Sequence, residues 1–414
     1  MRIGFLSGVA RVMAISFSIL PCAVRAQTST AAATPQATTT PSAPPAAVAA
    51  PAETTAAPLA TPAMVGPLST ASSATFDAGP FGKLQVTGIL SGFGDVQDNH
   101  APGDHPKFSD VSNAQVFLQK TSGLVQFYLQ GGAYNLPALG TPILSTKETV
   151  SDFFGALPIG YIKLAPKGSF SYLAGKLPTL IGAEDTFTFE NLNIERGLLW
   201  NQENAVNRGV QVNYSKGKLS SSLAWNDGFY SNRYNWLTGE LTYTPNTANS
   251  VEFVGGGNLG ETDYSSIATP VYQNNSDIYD LIYTRTAKKW MLEPYIQVTY
   301  VPTYKKIGVG HATSTIGGAV LGNYTFTPHI SLAARGEYIA STGSTSEGAV
   351  NLLYGTGSEA WSLTLTPTYQ DKAFFARTDF SVTQAMNSTP GDVFGATGTN
   401  TSQIRGMIEA GFMF

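Results

Sequence analysis

From Lys83 onward the chain repeats one pattern: runs of about ten residues with a large apolar side chain at every second position. Successive side chains of a β-strand point to opposite faces, so each run has one apolar face and one polar face. In "SGLVQFYLQGGAY", Val125, Phe127 and Leu129 alternate with Gln126, Tyr128 and Gln130. In "SSLAWND", Leu219, Leu223 and Trp225 lie opposite Ser220, Ser222, Ala224 and Asn226. "WLTGELTYTP" sets Leu237, Gly239, Leu241 and Tyr243 against Thr238, Glu240 and Thr242. "ISLAARGEYIA" sets Ile330, Leu332, Ala334 and Tyr338 against Ser331, Arg335 and Glu337. "AFFARTDFSV" sets Phe374, Ala376, Phe380 and Val382 against Arg377, Asp379 and Ser381. The last run, "QIRGMIEAGFMF", sets Ile404, Ile408, Phe412 and Phe414 against Arg405, Met407, Glu409 and Met413.

A strand resting on a soluble core would carry Lys and Glu on its outer face. Here the polar face is mostly Gln, Ser, Thr and Gly with an occasional Arg/Glu pair, and the apolar face tends to end in Tyr, Trp or Phe. Charged residues are only 13% of the 414-residue chain, about half the share usual in soluble domains. Ten residues cross a bilayer at a tilt, and aromatic rings gather where the bilayer meets water. The apolar faces are therefore expected in lipid and the polar faces on a water-filled lumen. In lipid every backbone amide needs a partner, so the sheet must close. The last strand is expected to pair with the first, near "KLQVTGILSGFG" (83–94), and the chain to stop at that seam. No later stretch reads as a transmembrane helix, which would need about 18 consecutive apolar residues. A net charge of −4 gives no reason to expect nucleic acid as a partner.

Short turns fall at "KTSG" (120–123), "PKGS" (166–169), "SKGK" (215–218), "TPNTAN" (244–249), "TAKK" (286–289), "TFTPH" (325–329) and "QDK" (370–372). Longer polar stretches alternate with them: 98–112, 135–155, 177–206, 227–234, 258–276, 302–311, 341–359 and 384–402. The fold expected is all-β: a transmembrane up-and-down antiparallel β-barrel of about 16 strands with both ends on the short-turn side. "GAVNLLYG" near 345–355 could form another strand, but is assigned to a loop because the turn alternation otherwise fails.

Before the barrel come two other segments. Arg2, Arg11, the apolar run "VMAISFSIL" and the small residues of "AVRA" read as a signal peptide cleaved after Ala26. Cys22, the only cysteine, would leave with it; a lipid-anchoring role is the alternative, which Pro21 fits poorly. Residues 27–75 are dominated by Ala, Thr and Pro and are expected to be a disordered periplasmic linker. Residues 76–414 are assigned to the barrel.

No constellation supports catalysis or a metal. Gly255, Gly257 and Gly260 have dinucleotide-binding spacing, but "ETDYSS" follows with no helical period. His100, Asp104 and His105 sit in a Pro/Gly loop with too few ligands for a metal centre. His311 and His329 stand alone, and no cofactor motif is present.

Residues 177–206 carry more information. Glu184, Asp185, Glu190, Glu195 and Arg196 lie among Phe187, Phe189, Leu198, Leu199 and Trp200. A loop this long and this apolar is expected to fold into the lumen and narrow it, the alternative being packing on the outer rim. Glu240, Asp280, Glu293, Arg335, Glu337, Arg377, Asp379, Arg405 and Glu409 face inward on the same register. They are the pore-lining or constriction candidates, with mixed signs that suit a transverse field and no strong ion preference. Mutual salt-bridging is the competing reading.

The chain resembles outer-membrane porins of Gram-negative bacteria in the OmpL-like beta-barrel porin family. The resemblance is carried by "YLAGKLPTLIGAED" (172–185), "NIERGLLW" (193–200), "NRGVQVNYSKGKLSSSLAWNDGFY" (207–230), "LAARGEYIAS" (332–341), "YGTGSEAWSLTLTPTYQ" (354–370) and "FFARTDFSV" (374–382), and spans about 83–414. It implies location in the outer membrane and passive diffusion of small hydrophilic solutes. It also implies that Phe412 and Phe414 form the signal read by the barrel-assembly machinery. A homotrimer is the common porin assembly, though no residue here marks a trimer interface. Two rival functions stand: a non-conducting barrel serving as structural anchor, and an outer-membrane hydrolase using His100, His105 or His311.

Overall fold

The computed structural model describes residue 66, residues 68–70 and residues 73–414. The expected signal peptide and most of the expected linker lie outside the described residues. Among the described residues, seventeen strands form one sheet. The first, β1 (Ala74–Asp77), is a short rim strand. The other sixteen are β2 (Lys83–Gln97), β3 (Lys107–Lys120), β4 (Val125–Tyr134), β5 (Ile159–Leu164), β6 (Phe170–Pro178), β7 (Val206–Lys216), β8 (Leu219–Asn226), β9 (Trp236–Asn246), β10 (Asn249–Asn258), β11 (Asp277–Thr286), β12 (Trp290–Val301), β13 (Thr313–Thr327), β14 (Ile330–Ser341), β15 (Glu359–Asp371), β16 (Phe374–Met386) and β17 (Ser402–Met413). Each pairs antiparallel with its sequence neighbours, and β17 pairs with β2, from Arg405 opposite Gln97 to Met413 opposite Ile89. The expected 16-strand closed barrel is therefore the observed one. "GAVNLLYG" lies in the loop between β14 and β15.

At the seam Phe414 exchanges two backbone hydrogen bonds with Gly88 (2.6 and 2.9 Å). Below that point β17 has ended, and β1 takes its place beside β2, from Ala74 opposite Val86 to Asp77 opposite Lys83. No free edge is left along the upper part of β2, as a sheet in hydrocarbon requires.

The alternation decides which face meets which medium. Ile404, Ile408 and Phe412 are 60%, 55% and 53% exposed, whereas Arg405 and Glu409 between them are 1% and 0% exposed. An outer surface that is apolar around a charged interior inverts a water-soluble protein and fits lipid. Rings cluster at the turn end of the wall: Tyr369 beside Phe374, Phe374 beside Phe412, and Tyr324 beside Phe326. Trp225 and Tyr234 meet near the loop end.

Candidate functional site

The loop between β6 and β7 leaves the wall at Pro178, returns at Val206 opposite it, and turns into the barrel. Every residue from Thr186 to Leu199 is buried. Apolar side chains explain the inward turn. Phe187 and Phe189 pack with Phe117, Tyr128 and Tyr134 from the inner faces of β3 and β4. Leu192, Leu198 and Leu199 pack against Ala319, Leu321 and Ala333 of β13 and β14.

Charged wall residues then fix the loop's backbone. Arg377 donates to the carbonyls of Thr188 (2.6 Å) and Asn191 (3.0 Å) and to the Glu409 carboxylate (2.7 and 2.9 Å). Arg335 donates to the Glu184 carboxylate and to the Glu195 carbonyl (2.7 Å). Arg405 pairs with the Glu195 carboxylate and donates to Gln97 Oε1 (2.9 Å). Asp379 accepts the amides of Ile194 and Glu195 (both 2.9 Å), and Glu337 accepts that of Leu198 (3.1 Å). A Cβ at Gly197 would displace the Glu337 carboxylate, which accepts the Leu198 amide. The expected infolding is observed. Six of the wall candidates, Arg335, Glu337, Arg377, Asp379, Arg405 and Glu409, lie sealed behind the loop and hold it.

The other candidates sit differently. Asp280 accepts the amide of Gly182 (3.2 Å), and Glu293 accepts the Thr284 hydroxyl (2.6 Å). Glu240 accepts the Thr242 hydroxyl (2.9 Å) and is partly exposed to the lumen. Three acids that the sequence reading did not select join them: Glu203, Glu252 and, near Arg405, Asp95. Glu252 was legible, since it alternates with Val251 and Phe253 as Glu240 does with Leu241. Glu203 lies in the loop, where no period applies. Among the described residues, Asp185, Glu190, Glu203, Glu240, Glu252, Asp280 and Glu293 make no ion pair, while Arg335, Arg377 and Arg405 all do. Arg196 is fully buried; its backbone bonds to Pro137 and Leu139, but its guanidinium has no hydrogen-bond partner and lies over the Trp200 ring at 5.0 Å. Burial pushes the Glu190 carboxyl up to about 8, against the pull of the Phe187 amide and the nearby Arg196 charge.

The lumen is thus divided. On the arc from β14 through β17 to β4, most inner-face side chains are buried. On the arc from β6 to β10, the turn-end half of the inner face stays partly exposed, at Ser171, Gln211, Asn213, Ser222, Thr242 and Glu252. On the outer side, loop residues that include Thr141, Phe153, Trp200, Phe229 and Tyr354 enclose a cavity of about 390 Å³ beside Glu203.

A family model described as "Putative beta-barrel porin-2, OmpL-like" matches residues 83–414. Comparison with curated proteins gives no match. Among solved structures, the outer membrane channel DcaP of Acinetobacter baumannii is similar at 10% identity and a TM-score of 0.57, over 82% of this chain and 100% of that one. OmpT with loop L8 deleted, an outer membrane protein of Vibrio cholerae, is similar at 12% identity and a TM-score of 0.53, over 80% and 99%. OmpF of Salmonella typhi, in complex with daunomycin, is similar at 13% identity and a TM-score of 0.52, over 80% and 98%. At these identities the structures speak for the fold, which they share.

Proposed function

The chain belongs to the OmpL-like beta-barrel porin-2 family and is an outer-membrane porin; from that premise we propose that small polar solutes, cations ahead of anions, pass along its acidic arc. The observation that carries this reading is the unequal fate of the charges. Arg335, Arg377 and Arg405 are each ion-paired and bonded to the infolded loop, while Glu240 and Glu252, partly exposed to the lumen, make no ion pair. A passage lined by unpaired carboxylates attracts cations and repels anions. The loop 179–205 is the constriction in this reading, and Glu184 and Glu195 are its anchors rather than its lining.

The reading is of a passive channel and not an enzyme. His100 and His311, two of the candidates for a hydrolase, bond through Nδ1 to the carbonyl of the next residue. The partners it carries are lipid, small solutes and the barrel-assembly machinery, the last through Phe412 and Phe414. It extends to a homotrimer, which sizing in detergent tests. In planar bilayers under a KCl gradient, the reversal potential is expected to show cation preference, and Glu240→Gln with Glu252→Gln to reduce it. An anion-preferring wild type, or no conductance at all, refutes the proposal; the second result would favour a structural anchor.

A further inference from the structure

The lumen of a porin is expected to be polar, yet one inner region here is not. At the turn end of the arc from β16 through β17 to β4, Ile89, Phe117, Tyr128, Phe375 and Met413 all point inward. Left facing water, this patch would be costly at about 25 cal/mol per Å². Phe187 and Phe189 of the loop cover part of it, and Leu68 adds to that cover. Leu68 is 3% exposed and belongs to the same apolar cluster.

Two polar contacts fix that coverage. The Gln370 side chain, on the inner face of β15, grips the backbone of Ser69: its Oε1 accepts the Ser69 amide (3.0 Å), and its Nε2 donates to the Ser69 carbonyl (2.7 Å). Higher in the lumen the Gly66 amide donates to the carbonyl of Glu190, in the constricting loop (2.9 Å). A Cβ at Gly66 would overlap the Asn191 carbonyl, so the approach is as close as backbone allows. β1 pairs with β2 at the turn-end rim, whereas Leu68 lies in the inner apolar cluster and Gly66 meets the loop.

We propose that Gly66 and Leu68–Thr70 form an intramolecular strap that enters the lumen from the turn end, braces the constricting loop from beneath and closes off the apolar half of the passage. This rests on the porin reading and adds regulation to it: release of the strap widens the channel. Among the described residues the strap is held by one buried leucine, one side-chain clasp and one loop hydrogen bond. Its free energy is therefore small compared with that of the barrel, and it can open while the barrel stays closed.

The test uses the full chain with two readouts. In bilayers, Leu68→Asp and Gln370→Ala are each expected to raise single-channel conductance, Leu68→Asp by about twofold as the covered half of the lumen opens. Separately, Leu68→Cys in a Cys22→Ser background is expected to resist a water-soluble maleimide in the folded barrel and to react after denaturation. Adding Gln370→Ala is expected to speed that reaction. Labelling of folded Leu68→Cys at the denatured rate overturns docking, and unchanged conductance in both opening variants overturns the closure. If the wild type and every variant fail to conduct while Leu68→Cys stays protected, the porin reading has failed and the closure falls with it.

Discussion

Two arcs of the same wall, built on the same alternation, end in opposite states. From β14 through β17 to β4 the inner face is dry: Arg335, Arg377 and Arg405 are buried and paired, and aromatic rings fill the turn end. From β6 to β10 the turn-end inner face is partly wet, with Ser, Asn and Gln beside Glu240 and Glu252. The outer faces of both arcs are alike, with Leu363 and Leu241 exposed to 46% and 48%. The difference teaches that inward orientation does not make a residue pore-lining. What decides it is whether another part of the chain has the matching surface to cover it. Arginine's fork of donors suits it to hold loop carbonyls, so these arginines mark where the loop docks, while Glu240 and Glu252 stay partly exposed.

The largest contrast should appear on breaking a tie in the dry arc. Arg377→Ala leaves Glu409 buried without its partner and frees two loop carbonyls. Loss of about 3–5 kcal/mol is expected, read as a lower urea midpoint, together with larger and noisier channel currents. Lipid-facing changes should erase the contrast: Leu241→Arg and Leu363→Arg should each cost about 2–4 kcal/mol near mid-membrane, equally on the two arcs. A large inequality between them would mean that one of these faces does not meet lipid.

The loop itself supplies a pH test. Glu190 titrates at about 8 when folded, against an ordinary value of 4.5, because burial disfavours its charge. The folded state therefore holds this proton more tightly than the unfolded state. Its stabilising contribution is fully present below 4.5 and is lost as pH rises through about 8. Urea midpoints should fall over that window, and Glu190→Gln should flatten the fall. The smallest effect on stability belongs to the wet arc: Glu240→Gln should change it by no more than about 0.5 kcal/mol while still shifting the reversal potential.

The barrel was legible almost entirely. Turn and loop spacing gave the strand number, and the period of two gave the register, because lipid and lumen impose opposite chemistry on alternate residues. The infolding was legible from the apolar content of 177–206. What fills each side of the lumen was not. Pairing between Arg377 and Thr188 joins positions 189 apart, and no local period encodes it. Counted without their pairing, the inward charges have mixed signs and predict no strong ion preference. Leu68 was missed for another reason: a leucine among Ala, Thr and Pro carries no pattern, and the apolar cluster it joins is assembled from strands distant in sequence.

The division of the lumen is tested most directly by thiol accessibility at two inward positions near the same turn end. Ser222→Cys lies on the wet arc and is partly exposed; Thr368→Cys lies on the dry arc, where Thr368 is 4% exposed. With a small cationic, water-soluble thiol reagent on the reconstituted barrel, Ser222→Cys should react readily and lower the conductance, while Thr368→Cys should stay protected. Equal reaction at both positions, or faster reaction at Thr368→Cys, would contradict the account.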